Sequence, residues 1–391
     1  MEKYFADLHI HIGRARGHAV KVTGSRSLTL KNIINECVYR KGINIAGIVD
    51  CASPFVLDEI DEMITKKTLK ESEGGGLLFK NNLLILLGSE VEIPAGKGNA
   101  HCVCYFPYIS DMKNFSREIK KYIKNVNLSS QKCYLSPQEL LETTNTYNGI
   151  FIPAHVFTPH KSFYGSCVDR LSDLFSPIYM NKIFAIELGL SADSYLAQKI
   201  SETRNKAYLS NSDAHSLSKI AREYNILLLE KLNFQEVVLA LRNKTGRKIL
   251  ANYGLDPKLG KYHRTRCMTC GKITHNTPPV KICDFCGSEN VVVGVLDRIT
   301  EIQDAFDSNE SSNTPPYYYQ VPLEYIPGVG KKTIDKLIKA FGSEMNVLHF
   351  VNKSDLVNIV NEIVAENILK ARRGKLKIQS GGGGQYGKIE P

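Results

Sequence analysis

Short apolar runs alternate with amphipathic stretches from residue 4 to about residue 230. Between the apolar runs lie helical patterns such as Ser27 to Gly42, which has an apolar stripe at helical spacing and a glycine stop. Alternating strands and helices predict an α/β fold with a mostly parallel sheet, open or closed into a barrel. The candidate strands are YFADLHI, NIAGIVD, LLILLGSEVEI, HCVCYF, GIFIPAH, KIFAIELG, AYLSNSD and NILLLE.

This alternation ends near Arg242, and the rest of the chain has a different character. Residues 260 to 290 are rich in Cys, Lys and Arg, and residues 307 to 316 form a polar, Pro-terminated stretch typical of a linker. From Val321 the pattern is helical, with a second helical stretch that begins at a Ser354 cap, and the final SGGGGQYGKIEP predicts a flexible tail. We predict domains at 1–245, 246–300 and 321–391, with a linker at 301–320.

Composition narrows the class of protein. The 391 residues are 43% hydrophobic and 23% charged, which is typical of a globular protein. A net charge of +10 favours a polyanionic partner, although ordinary solubility explains it equally well. Without a long apolar run or a signal-peptide pattern, we expect a cytoplasmic protein that does not bind membranes.

The first candidate site begins with FADLHIHIG, which places His9 and His11 on one face of a strand. Side chains alternate between strand faces, so their α-carbons lie about 6.6 Å apart, a spacing that suits two ligands of one metal cluster. A single histidine in a strand is more often a core or surface residue than a ligand. The pair therefore needs further ligands to be convincing.

Further ligands follow other candidate strands at their carboxyl ends, where the active sites of α/β folds collect. His101 instead begins its strand, but an IPAGKGNA hairpin would return it beside Glu90. Imidazole and carboxylate suit zinc, manganese or iron, and so many groups exceed the needs of one structural zinc. We expect two or three ions and hydrolysis of a phosphate ester. The strand-end residues are Asp50, Glu90, His155, Glu187, Asp213 and His215.

The ordered motifs DLHIHIG, GIVD, GSEVEI, AHCVCYFP, PAHVFTP and NSDAHS resemble the polymerase and histidinol phosphatase (PHP) domain family over about residues 1 to 240. The resemblance implies a distorted (β/α)7 barrel with a trinuclear centre of Zn, Mn or Mg. Asp50-Cys51 departs from the family's usual Asp-His; we favour Asp50 as the ligand and Cys51 as a core residue. Glu187 and His18 are weaker candidates. The ligands implied, which with Asp50 make up the catalytic set, are His9, His11, Glu90, His101, His155, Asp213 and His215.

The second candidate site is the run CMTCGKITHNTPPVKICDFCG, which contains two CxxC pairs. Each pair can direct two thiolates at one tetrahedral ion, so the duplication predicts a structural zinc ribbon rather than a redox pair or a disulfide. Gly271 and Gly287 suit the tight turn after each pair. The four ligands are Cys267, Cys270, Cys283 and Cys286.

The third candidate site is YIPGVGKKTIDKLIKAFG, which resembles a helix-hairpin-helix motif. Glycines at a helix start let backbone N–H groups approach a DNA phosphate, and the two lysines add charge. A tight turn with solvated lysines is the alternative. The candidate nucleic-acid-binding residues here are Gly328, Gly330, Lys331 and Lys332.

The order of FTPHKSFYGS, LDPKLGKYHRTRC, IPGVGKKT and GGGGQYGKI resembles the endonuclease Q family over almost the whole chain. The resemblance implies a DNA repair endonuclease that nicks duplex DNA 5′ to uracil, hypoxanthine, xanthine or an abasic site. Lys161 is a further candidate for contact with DNA. Phe157, Phe163 and Tyr164 are candidates for stacking on an extruded base, and a place in the hydrophobic core is an equal alternative for them. We expect a monomer and consider a replication clamp as another partner. The alternatives are a phosphatase for a small phosphomonoester and a non-catalytic DNA-binding scaffold.

Overall fold

The computed structural model describes residues 1–306, 314–376, 378–382 and 384–389. Part of the predicted linker at 301–320 lies outside the described residues. None of the helices in the described part of the chain is long and apolar enough to cross a bilayer.

Eighteen strands occur in the described chain, and they include all the candidate strands of the first domain. The strands are β1 (Glu2–Ile10), β2 (Arg14–Ala15), β3 (His18–Ala19), β4 (Ile45–Ile48), β5 (Lys70–Glu71), β6 (Leu77–Phe79), β7 (Leu83–Ala95), β8 (Gly98–Phe106), β9 (Ile150–Pro153), β10 (Ala185–Glu187), β11 (Ala207–Leu209), β12 (Tyr224–Leu229), β13 (Lys248–Gly254), β14 (Arg266–Cys267), β15 (Val291–Val292), β16 (Tyr317–Tyr319), β17 (Ile378–Gln379) and β18 (Lys388–Ile389).

Twelve α-helices occupy the described chain between and after these strands. They are α1 (Leu30–Glu36), α2 (Pro54–Thr65), α3 (Ile109–Ile119), α4 (Pro137–Thr146), α5 (Pro177–Met180), α6 (Ser194–Ala197), α7 (Phe234–Leu241), α8 (Val295–Ile302), α9 (Lys331–Phe341), α10 (Glu344–His349), α11 (Lys353–Val357) and α12 (Glu362–Arg372). The Thr29 side chain caps α1, and a π-helical turn carries the chain from α1 to Gly42, where the sequence predicted the stop.

The α/β class predicted from the sequence is confirmed, but the sheet is mixed rather than mostly parallel. Its main path runs β16-β13-β12-β1-β4-β7-β6-β5, with β8 and β9 continuing from β7. The β1-β4-β7 core is parallel, whereas the tight hairpin between Ala95 and Gly98 makes the β7-β8 pair antiparallel. β10 and β11 form a separate parallel pair. The carboxyl ends of the parallel strands β1, β4 and β7 therefore lie on the same side of the sheet as the amino-terminal part of the antiparallel strand β8.

Helices α9 and α10 dock against the first domain. Lys41 donates to the buried Glu344 at 2.9 Å, and Arg40 pairs with Asp335 of α9 at 2.8 Å. The helix predicted from a Ser354 cap is wrong in its start: Asn352 caps α11, and Asn361 caps the separate helix α12. Asparagine at both positions competes for backbone N–H groups, which favours two caps over one continuous helix.

The glycine-rich end of the chain differs from the flexible tail predicted by its composition. β17 pairs with β18, and Gly381 N–H donates to Lys258 O at 2.7 Å. Glycine is required at two positions, because a Cβ on Gly381 would lie 2.5 Å from Gly387 N and one on Gly387 would lie 2.4 Å from Gln379 O. The described part of this segment is therefore packed on residues 258 to 264.

Candidate metal centre

Glu90 lies at the middle of a cluster of histidines and carboxylates at the strand ends. Its side chain is 1% exposed, and its Oε1 lies 2.8 Å from His101 Nδ1 and 3.4 Å from His155 Nε2. Its other oxygen, Oε2, lies 3.5 Å from His11 Nε2. The antiparallel β7-β8 pairing predicted from the hairpin brings His101 close to Glu90. The residue directly opposite His101 is Glu92, which lies two positions after Glu90 on the same face of β7.

His9 and His11 are each held from behind by a carboxylate. Glu187 accepts from His9 Nδ1 at 3.0 Å, and Asp50 accepts from His11 Nδ1 at 3.1 Å. With Nδ1 committed in this way, the Nε2 lone pair of each ring faces Glu90 and Asp213. A carboxylate behind a ligating imidazole fixes its tautomer and orientation.

Asp213 and His155 reach the cluster from backbone conformations that are uncommon for residues with side chains. Their φ angles are 46° and 31°, in the positive region. Asp213 Oδ1 lies 3.3 Å from His11 Nε2, and the ring of His215 lies 4.6 Å from that of His11. Strained residues of this kind cluster at functional sites, where the surrounding structure must hold them.

The donor set fits divalent cations. Three groups bring one ligand atom from each member within 4.8 Å of the others. Within the described chain, the buried His9 Nε2, His11 Nε2 and both ring nitrogens of His101 make no hydrogen bond of good geometry, although carboxylate oxygens lie within 3.7 Å of each of them. Buried polar atoms without partners are costly, and nitrogen lone pairs aimed at carboxylates are suited to a metal ion. The groups are His9, His11 and Glu90; His11, Asp213 and His215; and Glu90, His101 and His155.

The pKa values reflect a buried, acidic centre. Burial opposes ionisation of Glu90, but His101 and Lys21 hold the pKa of its carboxyl well below the usual range. Burial likewise opposes the charged form of His9, and the Glu187 carboxylate nevertheless holds the pKa of that imidazole well above its usual value. Carboxylates that stay ionised beside imidazoles that attract protons form a site where cations can replace those protons.

Asp50 lies behind His11, on the side of the ring away from the three groups of candidate ligands. Its two oxygens accept from His11 Nδ1, Ile12 N–H and the Ser129 hydroxyl, so both are already engaged, and it is absent from the three groups. Cys51 is fully buried and its thiol donates to Ile48 O at 3.3 Å, in agreement with a core residue. His18 is exposed and stacks on Phe55 outside the cluster.

Two charged residues of the centre were missed from the sequence. Lys21 Nζ lies 3.0 Å from Glu90 Oε2, and Glu92 Oε2 lies 3.5 Å from His101 Nε2. The β2-β3 hairpin returns Lys21 to the centre, and no strand-end pattern marks that position. Glu92 shares the face of Glu90 at strand spacing, so its alternation with Glu90 was a signal that could have identified it.

A cavity of about 700 Å³ opens beside the metal centre. Its wall includes Glu90, His101, His155, Asp213 and His215. This volume is within the range of small-ligand sites and can hold a nucleotide.

Other parts of the cavity wall come from distant segments of the chain. Lys161 lines the cavity, and its Nζ lies 2.7 Å from Oε2 of Glu92. The three aromatic candidates for stacking do not line it: Phe157, Phe163 and Tyr164 are at most 1% exposed, which agrees with the core alternative. The apolar pattern around them belongs to the hydrophobic core.

The four cysteines of the predicted zinc ribbon lie together. Cys267 Sγ is 3.7 Å from Cys286 Sγ, and Cys270 Sγ is 3.6 Å from Cys283 Sγ. A tetrahedral zinc with Zn–S bonds of about 2.3 Å separates its sulfurs by about 3.8 Å, so the spacing fits the ion.

The turns around this cluster support the same assignment. The φ angles of Gly271 and Gly287 are 72° and 69°, as the tight turns require. The backbone N–H of Cys270 lowers the pKa of the Cys267 thiol, which favours a thiolate there, whereas desolvation and the neighbouring sulfurs raise the pKa of Cys286, so the four sulfurs share their protons unevenly.

The glycine hairpin lies near the cavity but lacks a full first helix. Gly328 has a φ of 83° and Gly330 caps α9, and both are exposed with Lys331 and Lys332. The segment before them is a single 3-10 turn from Leu323 to Tyr325. Lys219 of the cavity wall contacts the Tyr325 hydroxyl at 3.1 Å, which ties the hairpin to the cavity.

Comparisons with known proteins place this geometry in context. No protein-family model matches the chain. It is 46% identical over 398 residues to the uncharacterized protein YqxK of Bacillus subtilis, covering 100% of both chains. It is 38% identical over 253 residues to an uncharacterized protein of Methanocaldococcus jannaschii, covering 60% of this chain and 31% of that protein.

Two solved structures match the whole chain. One is the lesion-specific endonuclease PfuEndoQ from Pyrococcus furiosus, with a TM-score of 0.84 and 32% identity over 100% of this chain and 95% of that one. The other is endonuclease Q in complex with a 27-mer duplex substrate that carries an abasic lesion at the active site. It has a TM-score of 0.84 and 32% identity, and the match covers 100% of this chain and 96% of that one.

Proposed function

Because the chain belongs to the endonuclease Q family, we propose that it is a metal-dependent endonuclease that nicks duplex DNA at damaged nucleotides. The observation that carries this proposal is the cluster of seven candidate ligands beside a nucleotide-sized cavity, in a chain that matches endonuclease Q over its whole length. We propose uracil, hypoxanthine, xanthine and abasic sites as the lesions. Hydrolysis 5′ to the lesion would leave a 3′-hydroxyl and a 5′-phosphate.

The side chains of the centre have distinct roles in this proposal. The seven grouped residues would hold two or three divalent ions, which when bound activate water and neutralise phosphate charge. Glu187 and Asp50 keep His9 and His11 in the orientation that ligation needs. Lys21 and Lys161 bring positive charge to the same wall, where a phosphodiester would approach.

Extrusion of the damaged nucleotide would bring its phosphate to the centre. Extruding a nucleotide that is mispaired or has no base costs less free energy than extruding one from a normal pair. Damaged nucleotides therefore enter the cavity more easily, even before any contact with the base. An abasic duplex bound at the active site of an endonuclease Q supports this geometry for the family.

The exposed hairpin is proposed to hold the DNA backbone. Backbone N–H groups at Gly328 and Gly330 and the charges of Lys331 and Lys332 suit phosphates and carry no base specificity. Replacing both lysines with alanine should weaken binding to all duplexes and flatten its salt dependence, because fewer counterions are released. Fluorescence anisotropy at several salt concentrations measures this, and an unchanged slope would contradict the role.

A panel of labelled duplexes tests the function. Uracil, hypoxanthine, abasic and undamaged duplexes are incubated with the chain and with Zn²⁺, Mn²⁺ or Mg²⁺, and the products are mapped to the nucleotide. We expect nicking 5′ to each lesion by the wild type and none by His9→Ala or Asp213→Ala, both of which should still bind DNA. Hydrolysis of p-nitrophenyl phosphate without any nicking would instead indicate the phosphatase; binding to DNA with neither activity would indicate the scaffold.

A replication clamp partner, the monomeric state and the domain boundaries stay predictions from the sequence. The glycine hairpin and the cysteine cluster lie on the same chain as the candidate metal centre. Gel filtration with multi-angle light scattering tests the monomer, and titration with a purified clamp tests the partner.

A further inference from the structure

One part of the cavity wall is built by residues that come after the catalytic domain. Lys261 and Tyr262 precede the cysteine cluster, and Tyr386 belongs to the glycine-rich segment. In the described chain, Tyr262 and Tyr386 are the aromatic residues of the cavity wall apart from histidines. An aromatic surface for stacking in this cavity is therefore provided by Tyr262 and Tyr386, and not by the aromatic residues between positions 157 and 164.

The glycine-rich segment fixes the position of Tyr386. Gly384 N–H donates to Lys261 O at 2.8 Å, and Gly387 N–H donates to Leu259 O at 3.0 Å, on either side of the tyrosine. The close packing of Gly381 and Gly387 described above leaves no room for a Cβ on either residue. Backbone contacts on both sides give Tyr386 a defined place in the wall.

A buried arginine ties the hydroxyl of Tyr386 to the metal centre. Arg222 is 7% exposed, and its Nη1 donates to Tyr386 Oη at 2.9 Å. The same guanidinium donates from Nε to Ser212 O at 2.7 Å and from Nη2 to Asp213 O at 3.3 Å. Tyr386 is thus anchored at its hydroxyl to the loop that supplies the ligand Asp213.

The ring of Tyr386 remains available to a ligand. The residue is 38% exposed although its hydroxyl is bonded. Lys261 Nζ lies 5.1 Å from the centre of the Tyr262 ring and 6.0 Å from that of Tyr386, so one cation lies near two aromatic faces. An anchored aromatic face beside a cation suits a planar heteroaromatic ring that is attached to a phosphate.

We propose that Tyr386 is a substrate-contacting residue that stacks on the base of the extruded nucleotide; this inference rests on the proposed endonuclease function. Stacking tolerates any base, because purines and pyrimidines both have a π-face. A stacking residue therefore suits an enzyme for both uracil and hypoxanthine. An abasic nucleotide has no base and gains nothing from the ring.

The test compares lesions with and without a base. For Tyr386→Ala, kcat/KM for uracil and hypoxanthine duplexes should fall roughly tenfold or more, the size of one lost stacking contact, with a change below about threefold on the abasic duplex. Tyr386→Phe keeps the ring and should stay within about threefold of wild type on all three substrates. Single-turnover nicking at a fixed metal concentration gives these values.

Tyr195→Ala is the matched control, because its ring also lies near a lysine, Lys199, but outside the cavity wall. It should nick every duplex as the wild type does. If Tyr386→Ala loses the same fraction of kcat/KM on all three lesions, the proposal is overturned, and the role of Tyr386 is to hold the Asp213 loop in place through Arg222. An unchanged kcat/KM on all three lesions would also overturn the proposal. A wild-type chain that nicks no lesion would contradict the proposed function itself. If Tyr386→Ala unfolds below the assay temperature, Tyr386→Leu replaces it and the same lesion ratio decides.

Discussion

Glu187 lies outside the three groups of candidate ligands, yet it organises the centre. Glu187 holds both the His9 ring and the backbone N–H of His155 at 3.0 Å, so one side chain orients two ligands from different strands. Its role is positional, and it differs from that of Asp213, whose oxygen lies among the ligand atoms. The two residues should therefore respond differently to substitution.

Glu187→Gln should lower nicking at limiting metal by about 10- to 100-fold, because the His9 ring loses its charged anchor. Excess Mn²⁺ should restore much of this loss, whereas Asp213→Ala should stay inactive at every metal concentration. Nicking rates across a metal titration measure both effects. Glu236→Gln, a buried carboxylate away from the cavity, is the control and should behave as the wild type.

Glu223 provides a pH-dependent contribution to stability. Burial raises the pKa of its carboxyl to about 8, and Oε1 accepts from Leu255 N–H at 2.8 Å. A raised carboxyl pKa stabilises the fold fully below the ordinary value near 4.5 and loses this effect as the pH rises through about 8. The protonated carboxyl is therefore the form that suits the buried site.

Glu223→Gln should make the free energy of unfolding less dependent on pH between about 5 and 8, with a gain over wild type on the order of 2 kcal/mol at pH 8. Urea unfolding at several pH values measures this difference. The exposed Glu73→Gln should leave the profile as it is. Parallel profiles for Glu223→Gln and wild type would contradict the assignment.

Candidate ligands were predictable where strand alternation or a strand end marked them. The directions of the His9, His11 and Glu90 side chains follow from strand alternation, whereas Asp213 follows the end of β11 and its direction depends on a backbone φ of 46°. Lys21, Asp50 and Arg222 were missed or given another role because their contacts depend on how distant loops meet. Sequence spacing can suggest that Asp50 is near the centre, but not that its oxygens are already engaged with His11 and Ser129.

Among the elements, the cysteine cluster is the clearest case of local sequence that determines local structure. Short β14 and β15 pair beside it, and the buried Asp297 of α8 accepts from Thr265 N–H at 3.1 Å and Val280 N–H at 2.9 Å. Little regular structure supports the module, so a bound ion should supply much of its stability.

Cys267→Ser and Cys283→Ser should each remove one zinc per chain and lower the melting temperature of the module. Metal analysis after gel filtration and thermal unfolding measure the two effects. Cys51→Ala is the control, because this core thiol should leave the metal content of both sites unchanged. Full zinc content in either serine variant would contradict the assignment.

Helix boundaries were less predictable than strands. The π-helical turn after α1 stops at Gly42, a left-handed residue with a φ of 81°, and the sequence marks this stop with glycine. The division between α11 and α12 was missed, because a run with helical apolar spacing hid the Asn361 cap. Periodicity reports the buried face of a helix, whereas its ends depend on single side chains.

For the whole molecule, the helical region and the first domain meet at an aromatic cluster. His349 Nε2 lies 2.6 Å from the Tyr224 hydroxyl, and its ring contacts Phe5 and Tyr253 at centroid distances of 5.0 and 4.8 Å. Burial lowers the pKa of His349 to about 4. The neutral ring therefore stabilises this contact above pH 6.5, and the stabilisation is lost as the pH falls from 6.5 through about 4.

His349→Gln should reduce the loss of stability between pH 7 and pH 5, because glutamine can accept from Tyr224 but does not take up a proton. At pH 7 the variant should be less stable than wild type by about 1 to 2 kcal/mol, since ring packing is lost. Chemical unfolding at both pH values measures the change. The exposed His275→Gln should keep the wild-type response, and an equal response of the two variants would contradict this role.

The order of the chain also bears on when the cavity forms during protein synthesis. All seven grouped residues precede residue 216, whereas Tyr386 of the cavity wall and the packed glycines on either side of it come after residue 376. Amino-terminal domains fold first as a chain leaves the ribosome. A nascent chain can therefore assemble the ligand cluster while part of the cavity wall is still missing. A premature stop codon after the cysteine cluster would keep all seven grouped residues in the chain and remove Tyr386 from the cavity wall.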